Sequence, residues 1–304
     1  MAINVNGLTS YVEEQRIPLI RKAYISNRSA KEFNLMTGVK GATALNLLST
    51  DAQFADGTGC GWTEAGSTTL SQRQLVPGAI KVQMAFCQNV LLKYWTNYEV
   101  RVAAGQKNLP FEEDFVNGVI ESIKAHLEKA MWQGDTTSAD ANLKQFDGLC
   151  KILNAATVAG TYTAEASDSI TKIINETYAL IPDAAFERGE VVLYVSSANY
   201  RKYIQELIAN GNLVITNAVA DVAMPESVLI PGTNVRVIPV SGLDGADLKA
   251  VASYRDNFVY GVDLTGDEEK FDLWYSKDND EFRFAGAFIA GVQVAFPDLI
   301  AIAK

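Results

Sequence analysis

One segment constrains this chain more than any other. Between Pro110 and Gln133, Phe111, Phe115, Val119, Ile123, Leu127 and Met131 recur every four positions, and Val116 and Ile120 widen the stripe. That spacing predicts a single α-helix with one buried face. Pro110 suits the first turn, where its missing N–H would have no partner anyway, and Glu112, Glu113 and Asp114 follow where the helix dipole favours anions. Gly134 supplies the stop. At ~1.5 Å per residue the rod is about 35 Å long, enough to act as the backbone of a domain.

The segments before the helix cannot form cores of their own. Residues 1–50 mix charges with scattered apolar residues, and Pro18 interrupts any continuous helix over Tyr11 to Arg28, so they read as an extended arm with a short helix. Residues 51–85 begin with Gly57, Gly59, Gly61 and Gly66 in a polar stretch, then alternate loosely around Pro77-Gly78 from Thr68 to Met84. They read as a long polar hairpin. An isolated two-stranded ribbon is marginal in water, so this one needs a partner surface and is expected to be an intersubunit loop.

Beyond the helix the pattern becomes α/β. A helix is expected over Ser167 to Ile181, capped by Ser167 or Asp168, with Ile170, Ile173, Ile174, Tyr178 and Ile181 inward. Val191 to Val195 is a continuous apolar strand, and Ser197 to Ala209 is a second helix. The last third reads as β: Val235 to Val240, Ala250 to Tyr254, Phe258 to Val262, Phe271 to Ser276, Phe282 to Phe296 and Leu299 to Ala303. The polar turn Lys277-Asp278-Asn279-Asp280-Glu281 closes a hairpin between two of them. There is no internal repeat and no low-complexity tract.

Composition removes several function classes. The chain has 36 acidic against 26 basic residues, a net charge of -10, which is the wrong balance for a protein that grips duplex phosphates. Cys60, Cys87 and Cys150 are widely spaced, as expected for free thiols in a reducing cytoplasm. The N-terminus lacks an apolar signal-peptide core, and the apolar stretch Ala285 to Phe296 is too short for a membrane span and holds Gln293.

Catalytic constellations are missing too. His126 is the one histidine, so no pair of histidines can hold zinc, and no GxSxG presents a nucleophile to it. The glycines at 57, 59 and 61 do not complete a phosphate loop, because Trp62 stands where the third glycine of GxGxxG is needed. Asp278, Asp280 and Glu281 resemble the start of a calcium loop, but Arg283 and Ile289 occupy the sixth and twelfth positions. These residues, and the run of Asp263, Asp267, Glu268 and Glu269, are expected to be solvated turns. The sequons at Asn27 and Asn175 are chance matches without a secretory signal. The chain reads as a structural protein without enzyme activity, cofactor or metal.

The order of elements resembles the major capsid proteins of tailed bacteriophages, the Hong Kong 97 fold. Two segments carry most of the likeness. Trp132-Gln133-Gly134-Asp135 followed by Phe146-Asp147-Gly148-Leu149 is similar to the family's passage out of its long spine helix. Phe282-Arg283-Phe284 through Val294-Ala295-Phe296-Pro297-Asp298-Leu299-Ile300 is similar to its closing strands, and Val191 to Ser196 before a helix fits its axial domain.

The resemblance implies an α+β subunit with an N-terminal arm over 1–50 and an extended loop over 51–85. A peripheral domain with the spine helix follows over 86–145, then an axial α/β domain over 146–255 and return strands of the peripheral domain over 256–304. Such a subunit would self-assemble as pentamers and hexamers into an icosahedral shell around a DNA genome, without sequence-specific DNA binding. Assembly would occur in the host bacterial cytoplasm, with a portal and a separate scaffold or decoration protein as partners and no membrane. The loop would lie over a neighbour, with Trp62 as an aromatic anchor and Glu64, Arg73 and Lys81 as rim charges. A built-in scaffolding segment is not expected. Nor is covalent crosslinking, since Lys81 has no matching Asn or Glu. An encapsulin-like nanocompartment shell would share the fold, and a cytosolic α/β enzyme is the reading from another class.

Overall fold

In a computed structural model, the structure describes residues 27–54, 58, 66–87, 111–211, 227–263, 272–279 and 281–304. The expected helix is α2 (Phe111–Gln133), preceded by a short α1 (Arg28–Glu32). On α2, Ile120, Ile123, Leu127, Ala130 and Met131 are buried, while Glu121, Ser122 and His126 are exposed. The side chains of residues 111–116, which begin the predicted stripe, lie outside the described residues.

The apolar stripe of α2 shares a core with the five-stranded sheet, which holds the longest strand of the three sheets. Its central strand is β12 (Glu281–Val294), whose Phe284, Phe288, Ala290 and Val292 face the helix core. Along one edge β12 pairs antiparallel with β10 (Phe258–Val262) and β11 (Asp272–Ser276), and along the other with β4 (Gly78–Cys87). The two edges follow from the register, since Ala290 pairs with both Val262 and Gly78. A short β1 (Asn34–Thr37) adds in parallel to β10. The turn at Lys277–Asn279 joins β11 to β12 as a hairpin, with Ser276 opposite Glu281.

The second sheet has six strands in the order β5 (Gly160–Tyr162), β13 (Ala301–Ala303), β9 (Ala250–Tyr254), β6 (Val191–Ser196), β8 (Arg236–Val240) and β7 (Val228–Leu229). Every residue of β6 is buried, as expected of a central strand covered on both faces. It runs parallel to β8, and the crossover carries α6 (Ser197–Ala209), whose Tyr200, Tyr203, Ile204 and Leu207 face the sheet core. Ser196 caps α6 by accepting from the Asn199 N–H at 3.1 Å. The remaining helices are α3 (Leu149–Ala155), α4 (Ile170–Ala179) and α5 (Asp183–Arg188).

Three sequence expectations are corrected. The N-cap of α4 is Ser169, not Ser167 or Asp168, because Asp168 turns back to accept from Tyr162 Oη and Lys172 Nζ. The hairpin is not centred on Pro77-Gly78. Its strands are β2 (Thr43–Asp51), from the segment assigned to the arm, and β3 (Ser67–Leu75), whereas β4 belongs to the five-stranded sheet. Pro77-Gly78 is instead a close passage: a Cβ at Gly78 would lie 2.1 Å from the Gln145 carbonyl oxygen, so no side chain fits. Finally, β13 does not return to the five-stranded sheet but pairs with β5 and β9 in the second.

The chain crosses between sheets twice at one place, and a buried amide clasps the crossings together. Leaving β9 for β10, it passes Asn257, which is fully buried. The Asn257 side chain donates to the Phe296 carbonyl at 2.8 Å and accepts from the Phe296 N–H at 2.7 Å, where β12 gives way to β13. It also donates to Ser253 Oγ, which in turn donates to the Leu299 carbonyl. The buried side chains of Asn257 and Ser253 thereby find partners.

A second knot seats the arm. Ser29, fully buried, donates its N–H and hydroxyl to the Glu128 carboxylate, and its hydroxyl accepts from Trp132 Nε1 at 2.7 Å. Around it Phe33, Trp132, Tyr194 and Phe258 form an aromatic cluster with ring centroids 5.3–6.4 Å apart. These four rings come from the arm, α2, β6 and β10. Arg255 then closes the end of α1 by donating to the Lys31 and Glu32 carbonyls.

Removing this hub should be costly. Trp132→Ala is expected to lower the unfolding free energy of the unassembled subunit by about 3–5 kcal/mol, and Trp132→Phe by about 1–2 kcal/mol, in urea denaturation. Burial pushes the Glu128 carboxyl above its ordinary value, against the hydrogen bonds from Ser29 and the charge of Arg28. The folded state then holds that proton more tightly than the unfolded chain does. The contribution is therefore full below about pH 4.3 and is lost as pH rises through the raised value. Glu128→Gln should reduce the fall in urea midpoint that wild type shows as pH rises above about pH 4.3; equal slopes would show that another group governs it.

Candidate assembly interface

The ribbon of β2 and β3 is the part of the described structure that does least to satisfy itself. Its register runs from Thr43 opposite Leu75 to Asp51 opposite Ser67. Alternation sends Leu45 and Leu75 toward a small cluster with Val39 and Val259 at the ribbon's base. The opposite face carries Ala44, Asn46, Leu48 and Thr50 beside Gln74, Gln72, Leu70 and Thr68, all exposed. No charged residue interrupts that face, in a chain where 20% of residues are charged. Leu48 and Leu70 sit directly opposite one another and are 59% and 77% exposed. Gln72 Nε2 donates to Asn46 Oδ1 at 2.8 Å beside them, stiffening the ladder.

Charge depletion around a central apolar pair is the pattern of a protein contact, not of a solvated surface. The ribbon is anchored at its base, where Gln293 Nε2 of β12 donates to the Gln74 carbonyl at 2.6 Å. The sequence reading missed Leu48 because it placed that residue in the arm. The period-two pattern Leu45, Leu47 against Asn46, Leu48 was the available signal, and it was faint because both faces carry leucine.

Of the four interface residues expected from the sequence, Trp62 and Glu64 lie outside the described residues. Arg73 is on β3 opposite Leu45, half-buried at the base of the ribbon, where it lines a groove with Asp147, Lys151, Gln293, Pro297 and Asp298. Lys81 is exposed on β4 opposite Ala287, beside a different groove between β4 and α2 that also holds His126 and Met84. The structure therefore does not bring Arg73 and Lys81 to one patch.

The two glycine-aspartate passages do meet. Gly148 N–H donates to the Gly134 carbonyl at 2.8 Å, and a Cβ at either glycine would approach backbone atoms to 2.5 Å. Lys151 Nζ then bridges Asp135 at 2.7 Å and Asp147 at 2.6 Å. The hydrogen bonds from Lys151 and Thr137 hold the Asp135 carboxyl down at about 2, so the bridge is ionised at neutral pH. It folds the polar segment 135–148 back on the end of α2.

Residues weighed for catalysis are dispersed. His126 is exposed on α2, and Cys150 is buried with its thiol pushed up to about 12, which leaves no thiolate to act as a nucleophile. Asp278 is exposed in its turn, and Glu281 accepts from Arg283 Nε at 2.8 Å. Asp263 is corrected from a solvated turn to a buried residue, 3% exposed, because it follows directly on buried β10. Gly57, Gly59, Gly61, Asp267, Glu268, Glu269 and Asp280 lie outside the described residues. Among the described residues no group of three metal-ligating side chains converges, and no helix is long and apolar enough to cross a membrane.

No family model matches the sequence, and no curated protein is similar to it. Solved structures are. The chain is similar to a chain of the satellite phage P4 procapsid including size determination (Sid) protein, at 12% identity and a TM-score of 0.64, covering 94% of this chain and 89% of that one. It is similar to the capsid of a native GTA particle, at 9% identity and a TM-score of 0.56, covering 93% and 96%. A virus-like particle from Pyrococcus furiosus matches at 9% identity and a TM-score of 0.54, covering 97% and 99%. Likeness over nearly the full length at such low identity lies in the arrangement of the elements rather than in the residues that fill them. This chain has the α+β Hong Kong 97 fold of capsid subunits.

Proposed function

We propose that the chain is the major capsid protein of a tailed bacteriophage, which self-assembles through pentamers and hexamers into an icosahedral shell enclosing the phage DNA. The observation that carries this reading is the uncharged, exposed face of the β2–β3 ribbon on a fold otherwise used for shells. A two-stranded ribbon with Leu48 and Leu70 in water loses stability that a neighbour's surface would restore. Burying that pair contributes about 1–2 kcal/mol per leucine, a modest contact. Repeated in every subunit of a closed lattice, modest contacts sum through multivalency, while each one remains reversible enough to correct misplacement.

The acidic balance supports a container that encloses nucleic acid without gripping it. Assembly in the host bacterial cytoplasm, with a portal and a separate scaffold or decoration protein, belongs to the same proposal. The likeness to the virus-like particle, which extends over 99% of that chain, favours one second reading, an encapsulin-like nanocompartment shell. A neighbouring terminase and portal gene supports the phage reading, and a neighbouring cargo enzyme the compartment.

The test is direct. Purified wild-type protein is expected to form closed shells in negative-stain images. The double variant Leu48→Asp, Leu70→Asp should keep the melting temperature of the unassembled subunit, because both sites are exposed, and should sediment as small species. Closed shells from that variant in wild-type yield would remove the ribbon from the assembly mechanism. A wild-type chain that stays monomeric at every concentration would sink the shell reading itself.

A further inference from the structure

Among the described arginines, Arg73 is set apart by a buried Nε without a partner. Arg236 is paired with Glu190 and Glu32, Arg255 with Glu32 and two carbonyls, and Arg283 with Glu281. Arg73 has no hydrogen-bond or ion-pair partner among the described residues, and its Nε is buried from solvent. Burial alone moves its guanidinium off the ordinary arginine value, in the direction that disfavours the charge. Arginine does not give up its proton in proteins, so the cost stays in place until an anion arrives.

The groove around Arg73 narrows what that anion is. Lys151, the other cation there, is already held by Asp135 and Asp147. The Asp147 oxygen that takes Lys151 also accepts from Thr136 N–H and Oγ1, both at 2.9 Å, and is committed to its own loop. Asp147 and Asp298 on the walls would repel a polyanion such as nucleic acid, which brings many phosphates at once. A single carboxylate meets the same repulsion with one charge only, and the unpartnered guanidinium fork matches it in bidentate fashion. Arg73 lies on the face of β3 opposite Gln72 and Gln74, and Gln293, which lines the groove, donates to the Gln74 carbonyl, so the groove sits at the base of the ribbon proposed to meet a neighbour. With ten more acidic than basic residues, a second copy of this chain has carboxylates to spare.

We infer that Arg73 and its groove form a socket for an Asp or Glu side chain of a second copy of this chain, a charged contact that sets the ribbon on its neighbour. The inference rests on the self-assembly reading and deepens it. Arg73 becomes a half-buried anchor rather than the rim charge expected from the sequence, and its contribution is realised only on assembly.

The experiment compares wild type with Arg73→Met, which keeps the length of the side chain and removes the charge. The melting temperature of the unassembled Arg73→Met subunit is expected to equal or exceed that of wild type, since an unpaired desolvated charge is gone. The protein concentration needed for shells, measured by sedimentation, should rise about tenfold or more. In Arg73→Lys shells assembled from mixed light and isotopically heavy copies, a carbodiimide should link residue 73 to an Asp or Glu of a different copy, read by mass spectrometry.

Wild-type shells with Arg73→Met assembling at the same threshold would overturn the socket and leave the shell reading intact. So would a link from residue 73 only to Asp147 or Asp298 of its own copy. Binding of a short DNA duplex to the unassembled subunit that Arg73→Met abolishes would assign the site to phosphate and overturn it too. A wild-type chain that never assembles would remove both readings together.

Discussion

The hydroxyl of Ser29 is where the two sheets, the long helix and the arm become one body. It accepts from the Trp132 indole and donates to the Glu128 carboxylate, and its own backbone N–H goes to the same carboxylate. The partners lie about a hundred residues away in the chain, so the bonds carry long-range order rather than local helix stability. Aromatic faces complete the joint, with Phe33 stacked at 25° on Phe258 and set edge-on to Tyr194 at 85°. Without the arm's contribution, Trp132 and Tyr194 would face a void and Glu128 would be an unpaired buried carboxylate. The arm segment 27–33 is thus part of the core.

Asn257 does for the crossings what Ser29 does for the arm. A polypeptide that leaves one sheet for another exposes backbone groups that neither ladder satisfies. At 253–257 and 295–299 one buried amide and one buried hydroxyl take up those groups for both passages. These bonds tie the two passages together where the sheets meet. The ribbon, held by Gln293 and the small cluster of Val39, Leu75 and Val259, stands out from this body. The proposed assembly uses that division: the hydrogen-bonded body carries the ribbon, and the ribbon's exposed face makes the contact.

The polar residues divide by purpose in the same way. Buried ones, such as Ser253, Asn257, Ser29 and Glu128, are hydrogen-bonded within the subunit. The ribbon's exposed Asn46, Gln72 and Gln74 are uncharged, so a partner could cover them at a low desolvation cost. Arg73 lies on the boundary, half-buried with its Nε out of solvent and unpartnered.

What the sequence determined by itself was several elements with a strong local period. The helix ending at Gln133, strand Val191–Ser196, helix Ser197–Ala209 and strands Ala250–Tyr254 and Phe258–Val262 match their expected positions to within a residue at each described end, because side-chain spacing against one or two buried faces is a local property. The glycine-aspartate passages were legible too, although their meeting through Lys151 was not. Tertiary structure decided what lies opposite what. Thr43–Asp51 pairs with Ser67–Leu75, Gly78 begins a different sheet, and Ala301–Ala303 ends in the second one. Period two records which side chains share a face and says nothing of the strand across the ladder, so pairing is set by long-range packing. For the same reason Arg73 could be picked out as a charged loop residue from sequence alone, but only the fold shows that it is half-buried without a partner.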